Sequence, residues 1–82
     1  MRFYQVRKTT TTLGGSPYTK SWFYQVWDNA FKKHHELITS ALGSGMREKS
    51  NKSQENYLYA EYFNDRTGTT VEIEVYTREF ED

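Results

Sequence analysis

Tyr57-Leu58-Tyr59-Ala60-Glu61-Tyr62-Phe63-Asn64-Asp65-Arg66-Thr67-Gly68-Thr69-Thr70-Val71-Glu72-Ile73-Glu74-Val75-Tyr76 decides the fold. Two runs of β-branched and aromatic residues flank Asp65-Arg66-Thr67-Gly68, a short polar loop ending in a glycine able to take positive φ. Pairing Asn64 with Thr69 sets Leu58 against Val75, Ala60 against Ile73 and Tyr62 against Val71, so all six share one apolar face. The other face then carries Tyr57 beside Tyr76, Tyr59 beside Glu74, Glu61 beside Glu72 and Phe63 beside Thr70. Turn chemistry and binary pattern agree, which predicts an antiparallel hairpin with one face in the core.

Upstream, Ala30, Phe31, His34, Leu37, Ile38, Ala41 and Leu42 recur at helical spacing, with Lys32, Lys33, Glu36, Thr39 and Ser40 facing away. The predicted helix runs from Asn29 to Leu42, with Asp28 as N-cap and Gly43 as its stop. Residues 43–55 are rich in Gly, Ser, Lys and Asn and read as a mobile connector. Closer to the N-terminus, Phe3-Tyr4-Gln5-Val6 recurs as Phe23-Tyr24-Gln25-Val26, with Gly14-Gly15 between the copies. A two-residue turn on those glycines pairs Val6 with Phe23 and Phe3 with Val26. It sends Phe23 to the core and leaves Phe3, Trp22 and Tyr24 on the opposite face, beside Gln5 and Arg7. The alternative is a longer helix starting near Ser16-Pro17, with Phe23, Val26, Trp27 and Ala30 in phase with the stripe. The strand formers in 21–27 favour the strand. The expected class is α+β in one domain, residues 1–82, with a single antiparallel or mixed sheet and one helix on one face. Its order is ββαββ, similar to the β-grasp arrangement in element order alone, against βαββ for the longer helix.

The 82 residues leave room for one domain. Phe, Trp and Tyr number 14 against 12 for Leu, Ile, Val and Met, so the apolar surface is largely aromatic. The absence of cysteine excludes disulfides, thiolate catalysis and Cys-ligated zinc. Met1 to Arg7 holds no leader-like apolar run, and no stretch reaches membrane-spanning length. The expected setting is therefore cytoplasmic and reducing, without a membrane. Asn51-Lys52-Ser53 matches a glycosylation acceptor, but reads there as a polar loop.

A formal net charge of zero conceals segregation: residues 1–53 sum to +6 and residues 54–82 to −6. The two blocks either pair across neighbouring strands or form one basic and one acidic surface; local pairing is the ordinary outcome. His34 lies on the apolar stripe and His35 at its border, pointing about 100° apart, so they do not chelate one ion together. Glu61 and Glu72 face one another beside Glu74, but on an open face where Arg7 or Arg2 from a neighbouring strand would neutralise them. No nucleophile constellation or phosphate loop is present, so neither enzyme activity nor a cofactor or metal is expected.

One helix covers one side of a sheet. Tyr57, Tyr59, Phe63 and Tyr76 are thus expected on an open face with Glu61, Glu72 and Glu74, a surface fit for a protein partner or a second copy of the chain. This composition resembles that of small inhibitors and host-takeover or anti-defence factors of phages and mobile elements. The alternative is single-stranded nucleic acid, with bases stacked on the rings and phosphates held by Lys32, Lys33, Arg47, Lys49 and Lys52.

Overall fold

The computed structural model describes residues 2–55 and 57–79. Its elements are β1 (Arg2–Thr11), β2 (Tyr18–Tyr24), α1 (Trp27–Gly43), β3 (Arg47–Gln54), β4 (Tyr57–Asn64) and β5 (Thr69–Glu79). All neighbouring strands are antiparallel, in the order β2-β1-β5-β4-β3. α1 packs over β5, β1 and β2. The class is α+β and the ββαββ order holds, with one further strand. No helix among the described residues is long and apolar enough to cross a membrane.

The β4–β5 hairpin has the expected register throughout: Asn64 pairs Thr69, Ala60 pairs Ile73 and Tyr57 pairs Tyr76. Asn64 Oδ1 accepts from the backbone N–H groups of Arg66 and Thr67, and Gly68 takes φ 71°, so both turn residues serve the purposes their types suggest. Ile73, Val6 and Val75 are fully buried beneath Ala30, Leu37 and Ala41 of the helix, with Ala60, Tyr62 and Val71 alongside. Each such large side chain contributes about 1.5–3 kcal/mol of transfer free energy.

Five expectations are corrected. The β1–β2 ladder pairs Val6 with Trp22, not Phe23. Pro17 cannot donate to a ladder, so pairing starts at Tyr18 and the loop widens to Thr12–Pro17, with its tight turn closed by Gly15 N–H to Thr12 O. A one-residue slip exchanges the faces of β2. Trp22 and Tyr24 thereby pack against the core, while Phe23 is 61% exposed beside Phe3 on the other face, ring centroids 5.9 Å apart. Burying two large rings at the cost of one favours this register.

The helix starts at Trp27, and Val26 precedes it without a side-chain cap; Asp28 lies within the first turn, where the helix dipole favours its charge. Gly43 is still helical, and the positive φ that ends the segment belongs to Gly45. The buried helix positions narrow to Ala30, His34, Leu37 and Ala41, leaving Phe31 and Leu42 about half exposed. A straight helix on a twisted sheet touches it along a thin line, so the rim of the apolar stripe stays in solvent.

The segment read as a connector, 43–55, contains β3. Its residues pair with β4 from Arg47–Phe63 to Gln54–Tyr57, with an irregularity between Glu48 and Ser50. An edge strand takes its hydrogen bonds from one neighbour and needs no apolar side chain, so hydropathy gives it no signature.

Candidate functional site

The sheet face turned away from α1 collects Phe3, Gln5 and Arg7 from β1, Phe23 from β2, Tyr57, Tyr59, Glu61 and Phe63 from β4, and Glu72, Glu74, Tyr76 and Arg78 from β5. β3 adds Arg47 and Lys49, whose charged groups lie 5.5 and 5.7 Å from the Phe63 ring centroid, and Lys52. Every residue named for partner binding is therefore on one surface: Tyr57, Tyr59, Phe63, Tyr76, Glu61, Glu72 and Glu74. Of the cations named for phosphate contact, Arg47, Lys49 and Lys52 join it. Lys32 and Lys33 do not, because they ride on the helix; Lys33 sits 4.5 Å from the Trp22 ring and pairs with Glu36 at 3.2 Å.

At the centre stands Glu74, 7% exposed and paired in register with Arg7 and Tyr59. Arg7 Nη2 donates to its Oε1 at 2.9 Å, Tyr57 Oη donates to Oε2 at 2.7 Å, and Tyr76 Oη donates to the same Oε2 while accepting from Arg7. Burial pushes the Glu74 carboxyl up, but the hydrogen bonds from Tyr76, Tyr57 and Arg7 outweigh it and hold the pKa below the ordinary carboxylate value. Burial, followed by the hydrogen bond to Glu74, raises the Tyr57 phenol, so it remains a donor. The rings interlock: Tyr57 lies 5.1 Å from Tyr76 and stacks 6.5 Å from Tyr59. The guanidinium carbons of Arg7 and Arg78 lie 5.0 and 4.8 Å from the Tyr76 ring centroid. Gln5 extends the lattice sideways, donating to Ser21 Oγ and accepting from Arg78 Nε.

Cations from the flanking strands offset the acids of the hairpin. Arg7 neutralises Glu74; Lys49 approaches Glu61 at 3.7 Å, and Arg47 holds Asp65 through two hydrogen bonds. Tyr59 Oη also donates to Glu61, at 3.0 Å. A shallow groove of about 460 Å³ runs between β3 and β4, lined by Ser50, Lys52, Gln54, Tyr57, Tyr59 and Glu61. At the opposite end, Phe3, Phe23, Tyr24 and Gln25 line an apolar hollow of about 360 Å³. Arg78, Phe23, Ser50 and Gln54 were not singled out for this face by the sequence; Phe23 and β3 needed the correct register and strand assignment before their faces could be placed.

His34 is buried at 8% exposure on the helix side of the sheet, and its Nε2 has no hydrogen-bond partner among the described residues. The described residues hold no group of three or more His, Cys, Asp or Glu side chains set to bind a metal. Compared with known proteins, the chain matches no family model, no curated protein and no solved structure, so its function rests on the geometry of this face.

Proposed function

We propose that the protein is a non-enzymatic binding module that docks a protein partner on its open sheet face, acting as an inhibitor does, by occupying the partner's surface. The Arg7–Tyr76–Glu74–Tyr57 lattice carries this reading. Tyrosine and arginine dominate binding hot spots, and here their side chains are already ordered by mutual hydrogen bonds, which lowers the entropy cost of docking. Arg7, Arg47 and Lys49 have carboxylate partners already, so the face offers mixed polar and aromatic contact more than a track for a polyanion.

The second reading, single-stranded nucleic acid, is favoured by one observation: β3 sets Arg47, Lys49 and Lys52 beside the rings of Phe63, Tyr57 and Tyr59. Lys52 and Arg78 have no carboxylate partner among the described residues, so phosphate contacts would be few and the salt dependence shallow.

Affinity capture with mass spectrometry separates the two. The immobilised chain is expected to retain a stoichiometric protein, with Tyr59→Ala and Arg78→Ala each weakening the complex about tenfold or more and Lys32→Ala leaving it intact. Absence of any stoichiometric protein, together with salt-dependent anisotropy changes on labelled oligonucleotides that Lys52→Ala abolishes, would replace the first reading with the second.

A further inference from the structure

The two edges of the sheet are built differently. The β3 edge carries Arg47, Glu48, Lys49 and Lys52 and a register irregularity after Glu48, the charges and bulge by which an edge avoids further pairing. The β2 edge carries one charge, Lys20, and within Tyr18–Tyr24 has no proline, acid or irregular pairing. Its outer N–H and C=O groups have no neighbouring strand among the described residues. Apolar exposure gathers on the same side: Tyr18 at 66%, Phe23 at 61%, and Val26 just beyond at 53%. An open backbone edge flanked by exposed rings is a template for one more strand.

The sequence of β2 indicates which strand fits. Laid antiparallel on a copy of itself about Ser21, Tyr18 meets the partner's Tyr24, Thr19 the partner's Phe23 and Lys20 the partner's Trp22. No like charges oppose. Every pair keeps both members on one face, because positions equally spaced from the centre share parity. Lys20 Nζ already lies 5.3 Å from the Trp22 ring of its own chain, so the cross-copy contact repeats chemistry the strand uses internally. An isologous contact of this kind closes at two copies.

We infer that β2 is a homodimer edge, at which two copies pair antiparallel about Ser21 to form a ten-stranded sheet. The two-fold axis then runs perpendicular to the sheet. Both helices lie on one side, and the two open faces merge into a single surface, with the Phe3–Phe23 pairs of the two copies near its centre.

The absence of cysteine from the natural sequence makes the test specific. Cα atoms directly opposite in an antiparallel ladder are about 4.5–5.5 Å apart, inside the range a disulfide spans. Under mild oxidation Ser21→Cys is expected to cross-link to a dimer nearly completely, whereas Ser50→Cys on the β3 edge is not. Light scattering over a concentration series is expected to show the untreated wild-type chain as a dimer of 9.8 kDa subunits. Tyr18→Lys with Phe23→Lys should raise the dissociation constant about tenfold or more, with far-UV circular dichroism unchanged. A wild-type chain monomeric at every concentration overturns the inference. So does a dimer that Ser21→Cys fails to trap, or one dissolved by Tyr59→Ala while the β2 variants leave it intact, which would put the contact on the open face. None of these outcomes depends on whether the open face binds a protein.

Discussion

Glu74 is the residue on which the open face is organised, since it accepts from three side chains on three strands. Its neutral isostere retains the shape but gives up the charge that Arg7 faces. Glu74→Gln is expected to lower stability by about 2 kcal/mol, roughly 8–16 °C in Tm for a domain of this size, measured by thermal denaturation. Arg7→Lys should restore less than Arg7 supplies, because an ammonium cannot give the same fork of donors. His34 presents the opposite problem. Burial, with the neighbouring His35 second, lowers its pKa, so the folded chain binds its proton less readily than the unfolded chain does. Unfolding is then favoured as pH falls below about 6.5, at up to about 1.4 kcal/mol per pH unit, until the folded-state pKa is reached. Tm should drop between pH 7.5 and 5.5, and His34→Leu should flatten that drop while His35→Asn leaves most of it. An equal drop in the His34→Leu variant would assign the acid sensitivity elsewhere.

Among the elements, the β4–β5 hairpin and the centre of α1 were legible because their chemistry is local: a turn with Asn64 and Gly68 in their usual places, and Leu37 and Ala41 at helical spacing. The β1–β2 register was not, because two glycines invited a tight turn and the ladder instead starts after Pro17. β3 was invisible for a different reason. Its stability comes from backbone pairing with β4, and no side chain between Arg47 and Gln54 joins the core. That makes β3 the cheapest element to open. Native-state hydrogen exchange should find the amides of β3 exchanging at least about tenfold faster than those of β1 and β5 that bond one another. Equal protection across the sheet would mean that β3 opens only with the whole domain.

At the scale of the molecule, the division of charge into a basic front and an acidic rear resolves into the sheet order. Acidic β5 and β4 lie between basic β1 and β3, and the pairs Arg2–Glu79, Arg7–Glu74 and Lys49–Glu61 cross those two boundaries. The candidate site was legible in the sequence as far as the rings and acids of the hairpin. Of its balance of charge, the part Arg7 supplies was legible; the part Lys49 supplies was not, because it depends on β3 being a strand beside the hairpin. The same order bears on how the chain is made. β5, the last of the five described strands in chain order, is the middle strand of the sheet, joining ends as far apart as Arg2 and Glu79, separated by 77 positions. Before its arrival β1–β2 is a two-stranded hairpin covered only by α1, whose apolar stripe still lacks Ile73 and Val75 to pack on, and β4 has only polar β3 beside it. Translation therefore delivers two unfinished halves, and one late strand has to knit them into a protein.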